Sequence, residues 1–151
     1  MTDFIHPNRI AMQVELDSAE AAIQFGGNLL KADGLINHSY IQAMLDRYRD
    51  QGPYFVIAPG IAFPHARPEE GAMKTGFSLV TFKTPIAFSH PSNDPVQLML
   101  CLSATDSQKH LTALMQLAQL LQSEATKEKW LQASDKEDIL ADLRHLGGTD
   151  L

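Results

Sequence analysis

The chain has 151 residues, the size of one ordinary domain, and 44% of them are apolar, enough for a real hydrophobic core. Its 18 acidic and 12 basic side chains leave a formal charge of −6, which argues against nonspecific nucleic-acid binding, a task that needs a basic surface. A single cysteine, Cys101, excludes an internal disulfide framework and suits a reducing compartment.

The N-terminal MTDFIHPNRI lacks a basic region followed by an apolar run, so it does not read as a signal peptide. Asp17 and Glu20 form a capping-box pattern ahead of Ile23, Leu29 and Leu30, and Gly34 stops that helix. Asn37 caps a second helix, in which Ile41, Met44, Leu45 and Tyr48 recur at helical spacing up to Gly52. The middle third changes character. PYFVIA (53–58) reads as a short buried strand, and GFSLVTF (76–82) alternates in strand fashion. VQLMLCLSA (96–104) is almost continuously apolar, as in a central strand covered on both faces, and it holds Cys101 as a small core residue.

Helical patterns return in the last third. Asp106 or Ser107 caps a helix with the stripe Leu111, Leu114, Met115, Ala118 and Leu121. A shorter helix contains Trp130 and Leu131, and Ser134 with Glu137 opens another, followed by Ile139, Leu140, Leu143 and Leu146. Helices flanking a central group of strands predict an α/β domain in three layers, an α/β/α sandwich with a mixed sheet. No repeat or linker divides the chain, so one domain over residues 1–151 is expected. No apolar stretch approaches the roughly 20 residues that span a bilayer, so a soluble cytoplasmic protein without membrane insertion is expected.

Six histidines are candidates for chemistry. His6 sits in the tail beside a proline, His38 follows a cap, His90 lies in the turn-rich AFSHPSNDP, and His145 lies near a helix C-terminus, where the dipole favours a cation. Each has a sufficient structural explanation. His65 differs. Pro59, Pro64 and Pro68 stiffen the chain around it, while Gly60 and Gly71 permit turns. It therefore sits on a rigid loop between strands, suited to presenting a side chain that must not move. His110, with Ser107 as N-cap, occupies the third position of its helix, where unpaired backbone N–H groups favour an anion.

Two histidines, an arginine and an anion-friendly helix start suit phosphoryl transfer. A neutral imidazole is a good nucleophile near pH 7 and can take a phosphoryl group onto a ring nitrogen and release it again. Arg67 or Arg47, with His110, would offset the charge on the phosphoryl oxygens, so neither metal nor cofactor is needed. The rival from another class is a metal-dependent hydrolase using His65, His90, His110 and Asp94. The sequence carries no H-x-x-x-H or similar ligand spacing to support it.

GPYFVIAPGIAFPHARPEEGA and NDPVQLMLCLSATDSQKHLTALMQLAQLL resemble the mannitol/fructose class of enzyme IIA, components of the bacterial phosphoenolpyruvate-dependent sugar phosphotransferase system. Within that class the chain is most like the ascorbate-type and Sgc-type proteins. The likeness runs from about residue 10 to residue 146 and centres on GIAFPH. It implies a three-layer α/β/α fold and phosphorylation of His65, at Nε2, by the phosphocarrier protein HPr. The group then passes to an enzyme IIB, on a cysteine in the ascorbate-type branch, and on to a sugar crossing through an enzyme IIC. His110 matches the family's second histidine, expected to steady the phosphoryl group without accepting it.

Mannitol-type members carry an arginine near the position of Arg47, while the ascorbate-like pattern puts one directly after the motif, at Arg67. Arg67 is the favoured anion partner and Arg47 the alternative. Glu69 and Glu70 are expected to orient Arg67, form a polar rim, or, for Glu70 above all, simply be solvated. Ala66 stands where many members have glycine, which would be strained if φ were positive. An apolar docking patch around Ile61 and Phe63 is expected, with a partly acidic rim facing a basic HPr. A regulatory phospho-switch of the same fold, without a transport role, is the alternative function.

Overall fold

Four strands and five α-helices form along the residues described by the computed structural model, 6–147. In chain order they are β1 (Ile10–Val14), α1 (Ala19–Ala32), α2 (His38–Gln51), β2 (Ile61–Ala62), β3 (Gly76–Ile86), β4 (Val96–Ser103), α3 (Ser107–Leu120), α4 (Glu124–Gln132) and α5 (Lys136–Gly147). The sheet order is β1-β3-β4-β2. Central strands β3 and β4 are antiparallel, and each outer strand runs parallel to its neighbour.

This mixed sheet is covered on both faces, as the apolar runs of β3 and β4 require. Val80, Phe82, Met99 and Cys101 point into the layer of α1 and α2, against Ile23, Leu30, Ile41 and Met44. Their alternates Phe77, Leu79, Leu98, Leu100 and Leu102 meet Leu117, Leu121, Trp130, Ile139 and Leu143 of α3 to α5. The period-2 alternation of a strand thus assigns each residue to one of two cores. The outcome is the predicted α/β/α sandwich. Cys101 is fully buried between α1 and the sheet, and burial pushes its thiol pKa up to about 12.

Two details tighten the packing. At Gly26, in the middle of α1, a Cβ would lie 2.5 Å from Cys101 Sγ and 2.8 Å from Met99 Cε. Only a hydrogen fits there, and the close approach lets Ser78 Oγ donate to the Gly26 carbonyl at 2.9 Å. Arg9, buried ahead of β1, donates from Nη1 to Asp33 Oδ2 at 2.8 Å and from Nε to the Phe77 carbonyl at 3.2 Å, tying β1, α1 and β3 together.

Several sequence expectations need correction. PYFVIA is not a strand. Gly52 adopts φ 76°, Pro53 starts a turn closed by Val56 N–H on the Pro53 carbonyl, and the strand forms later at Ile61–Ala62. Phe55 and Val56 are nonetheless buried, so their apolar character reflects core packing and not pairing. β1 carries no prediction at all. Ser18, not Asp17, caps α1, its hydroxyl accepting from Ala21 N–H, and the carboxylate of Asp135 accepts from Glu137 N–H ahead of α5 in place of the Ser134 box. On α3 the inward residues are Leu114 and Leu117, with Leu121 just past its end, while Leu111 and Met115 are 51% and 62% exposed. Asn37 and Gly52 bound α2 as predicted.

Candidate active site

β2 runs parallel to β4, with Ile61 opposite Leu98 and Ala62 opposite Met99. The chain beyond β2 and the chain beyond β4 therefore leave the sheet at the same edge. His65 follows the first, and α3, with His110 in its first turn, follows the second. The side chain of His110, like that of Ser107, lies outside the described residues, as does the side chain of His145.

The His65 loop is stitched to the body of the molecule on both sides of the ring. Phe63 N–H donates to the Phe55 carbonyl at 2.9 Å, and Leu102 N–H donates to the Pro64 carbonyl at 3.0 Å. Beyond the histidine, Ala66 N–H donates to Tyr40 Oη at 3.0 Å, and that hydroxyl donates to the Leu102 carbonyl at 2.6 Å. Tyr54 Oη donates to the His65 carbonyl at 3.1 Å, and its ring meets the imidazole edge-on with centroids 5.8 Å apart. Ala66 is buried and is not among the residues with positive φ, so the substitution of alanine for glycine brings no backbone strain.

The ring itself is oriented by its own backbone. His65 Nδ1 lies 2.8 Å from the Phe63 carbonyl. A carbonyl only accepts, so Nδ1 carries the hydrogen and Nε2 carries the lone pair. The ring is half-buried, and burial lowers its pKa below the ordinary value; the Phe63 bond opposes that shift and the charge of Arg47 adds to it. Both features favour the neutral imidazole, with Nε2 as the unprotonated nitrogen.

Arg47, from the last third of α2, is half-buried and donates from Nη2 to Glu70 Oε1 at 2.6 Å. Its charge is also felt at the Tyr54 hydroxyl, which donates to the His65 carbonyl. Glu70 is not simply solvated: the same Oε1 accepts Arg67 N–H at 2.8 Å across the short 3-10 turn Pro68–Glu70. The side chains of Arg67 and Glu69 are exposed. Of the two arginines, Arg47 is the one whose charge reaches the imidazole.

The metal-site residues do other work. His90 Nδ1 accepts from Ser92 and Asn93 N–H groups, and the Asp94 carboxylate accepts from Phe88 and Ser89 N–H groups, bracing one turn. No group of three or more metal-ligating side chains occurs among the described residues. No helix among them is long and apolar enough to cross a membrane.

The docking patch also differs from expectation. Ile61 and Phe63 are buried, lining the inner wall of a cleft of about 340 Å³ with Leu121 and Ala118, and the exposed apolar groups nearby are Ile57 at its mouth and Tyr54. One and two turns along α3 from Ala118, Met115 and Leu111 extend the apolar surface. Tyr40 and Tyr54 went unassigned in the sequence, and Glu70 was not paired there with Arg47. Tyr54 lies within the GPYF extension of the motif, but nothing in the spacing distinguishes Tyr40 from an ordinary helix residue.

Comparison with known proteins matches the geometry. Residues 3–145 fit the family model for the phosphoenolpyruvate-dependent sugar phosphotransferase system, EIIA 2. The ascorbate-specific EIIA component of Salmonella typhimurium is 42% identical over 134 residues, spanning 88% of this chain and 87% of that one. The solution structure of the mannitol-specific cryptic phosphotransferase enzyme IIA of Escherichia coli superposes with a TM-score of 0.83 at 36% identity, over 95% of this chain and 97% of that one. The mannitol enzyme IIA of Escherichia coli, in complex with phosphorylated enzyme IIB, shares the fold with a TM-score of 0.84 at 24% identity, over 93% and 97% of the two chains. A rigidly held neutral histidine at the edge of such a sheet is what a phosphoryl carrier requires, and the chain belongs to the EIIA type 2 family of the phosphoenolpyruvate-dependent sugar phosphotransferase system.

Proposed function

We propose that His65 accepts a phosphoryl group from phospho-HPr at Nε2 and passes it to an enzyme IIB in the cytoplasm. The observation that carries this reading is the 2.8 Å contact of Nδ1 with the Phe63 carbonyl, which leaves Nε2 as the nucleophile. In the step, the lone pair of Nε2 forms a bond to phosphorus as the bond to the donor's ring nitrogen breaks. The hydrogen on Nδ1 stays in place against the carbonyl, so the phosphorylated ring is cationic and remains a good leaving group for the return step. The transition state spreads charge over three equatorial oxygens. Arg47 is the anion partner this reading favours over Arg67, because its charge is felt at the ring. His110, with the N–H groups opening α3, completes the cradle.

The likeness to the ascorbate-specific components, at 42% identity, favours a transport role in an ascorbate-type system over a purely regulatory switch. The single domain, residues 1–151, would serve donor and acceptor in turn with one face.

Incubation with phosphoenolpyruvate, enzyme I and HPr tests the assignment. The intact protein should gain the mass of one phosphoryl group, and His65→Ala should gain none. Labelling that persists in His65→Ala would move the site elsewhere. His110→Ala should still bind HPr but transfer slowly, and a normal rate would remove its role.

A further inference from the structure

We propose that Glu70 is a positioning residue for the transfer: it holds Arg47 beside His65 in the unphosphorylated protein and yields the guanidinium to the arriving phosphoryl dianion. The proposal rests on the reading above, in which His65 carries the group.

The carboxylate is placed by a built network. Glu70 Oε1 takes Arg47 Nη2 and Arg67 N–H together, at 2.6 and 2.8 Å. The turn that carries it is tied to the start of α2: Ser39 Oγ donates to the Glu70 carbonyl at 2.9 Å and Asn37 N–H donates to the Gly71 carbonyl at 3.1 Å. Gly71 has φ 133°, and a Cβ there would collide with Asn37, so the turn has one seating. Tyr54, whose hydroxyl feels the Arg47 charge, donates to the His65 carbonyl at 3.1 Å. Glu70, five residues beyond His65 in the chain, thus ties Arg47 to the loop that carries the reacting ring.

The exchange follows from charge. A guanidinium cannot be neutralised and has donors enough for two acceptors. A phosphoryl group of nearly two negative charges outcompetes one carboxylate for it. The carboxylate also repels that group. The loss of the Glu70–Arg47 pair and this repulsion offset part of what the guanidinium gains from the dianion, and so keep phospho-His65 from becoming a stable end point, which a carrier must avoid.

The test is the equilibrium of phosphoryl exchange between phospho-HPr and the full chain. Glu70→Gln retains an oxygen for Arg67 N–H but loses the charge, and a thermal melt checks its fold. It should shift the equilibrium toward the phosphorylated protein by about three- to tenfold, the scale of a partly buried ion pair, and slow onward transfer. In an Arg47→Ala background the same change should have a much smaller effect. A role confined to bracing the turn predicts no shift, or a shift the other way. An unmoved equilibrium, or an equal shift with and without Arg47, overturns the proposal. Absence of labelling at His65 in the unaltered protein would instead overturn the reading beneath it.

Discussion

His65 owes its chemistry to its surroundings more than to its identity. Burial, with the charge of Arg47 added, keeps its pKa below 6.5 despite the bond to Phe63. The rate of phosphoryl acceptance should therefore fall in acid only at a lower pH than an ordinary histidine would impose, as the ring protonates. The linkage has the same sign. The unfolded chain, with an ordinary histidine, binds its proton first as the pH drops. The stability contributed by the neutral ring is complete above about pH 6.5 and is lost as the pH falls from there through the lower folded-state value. Arg47→Met removes a like charge and should raise the His65 pKa, read by NMR titration of the ring; a fall would contradict the electrostatics described. Tyr40 supports the same residue from below. Tyr40→Phe leaves Ala66 N–H and the Leu102 carbonyl without their partner. The loss should cost about 1–3 kcal/mol in urea unfolding and slow transfer as the loop loosens.

At the scale of elements, the sheet and α1 meet through Gly26. Gly26→Ala improves helix propensity by about 1 kcal/mol, but the added methyl strikes Cys101 and Met99. Overpacking of this kind should win, with a net destabilisation of about 1–3 kcal/mol in chemical denaturation. The same packing explains what was legible in the sequence. β3 and β4 announce themselves because both faces of each are buried, and α2 because Asn37 and Gly52 mark its ends. β1 did not, since only Ile10 of its five residues is fully buried and the strand is interrupted at Gln13, where φ is 56°. PYFVIA misled for the converse reason: burial without pairing looks like a strand. His65 was legible through its prolines. The partnership of Arg47 with Glu70 was not, because it spans 23 residues and depends on how a turn sits against a helix.

For the whole molecule, the exposed apolar groups of α3 matter most. Leu111 and Met115 follow helical spacing, yet they face solvent beside the cleft edged by Ile57. If phospho-HPr docks over these side chains, Met115→Glu should raise the KM for that donor about five- to tenfold, with the fold intact by circular dichroism. An unchanged KM would exclude α3 from the contact. A last consequence concerns the lone thiol sealed beneath α1. A sulfur that never meets water and scarcely ionises will ignore iodoacetamide at neutral pH. In a reconstituted relay whose next carrier uses a reactive cysteine, that reagent should block the downstream stage alone, so that radiolabel from phosphoenolpyruvate piles up on this protein and goes no further.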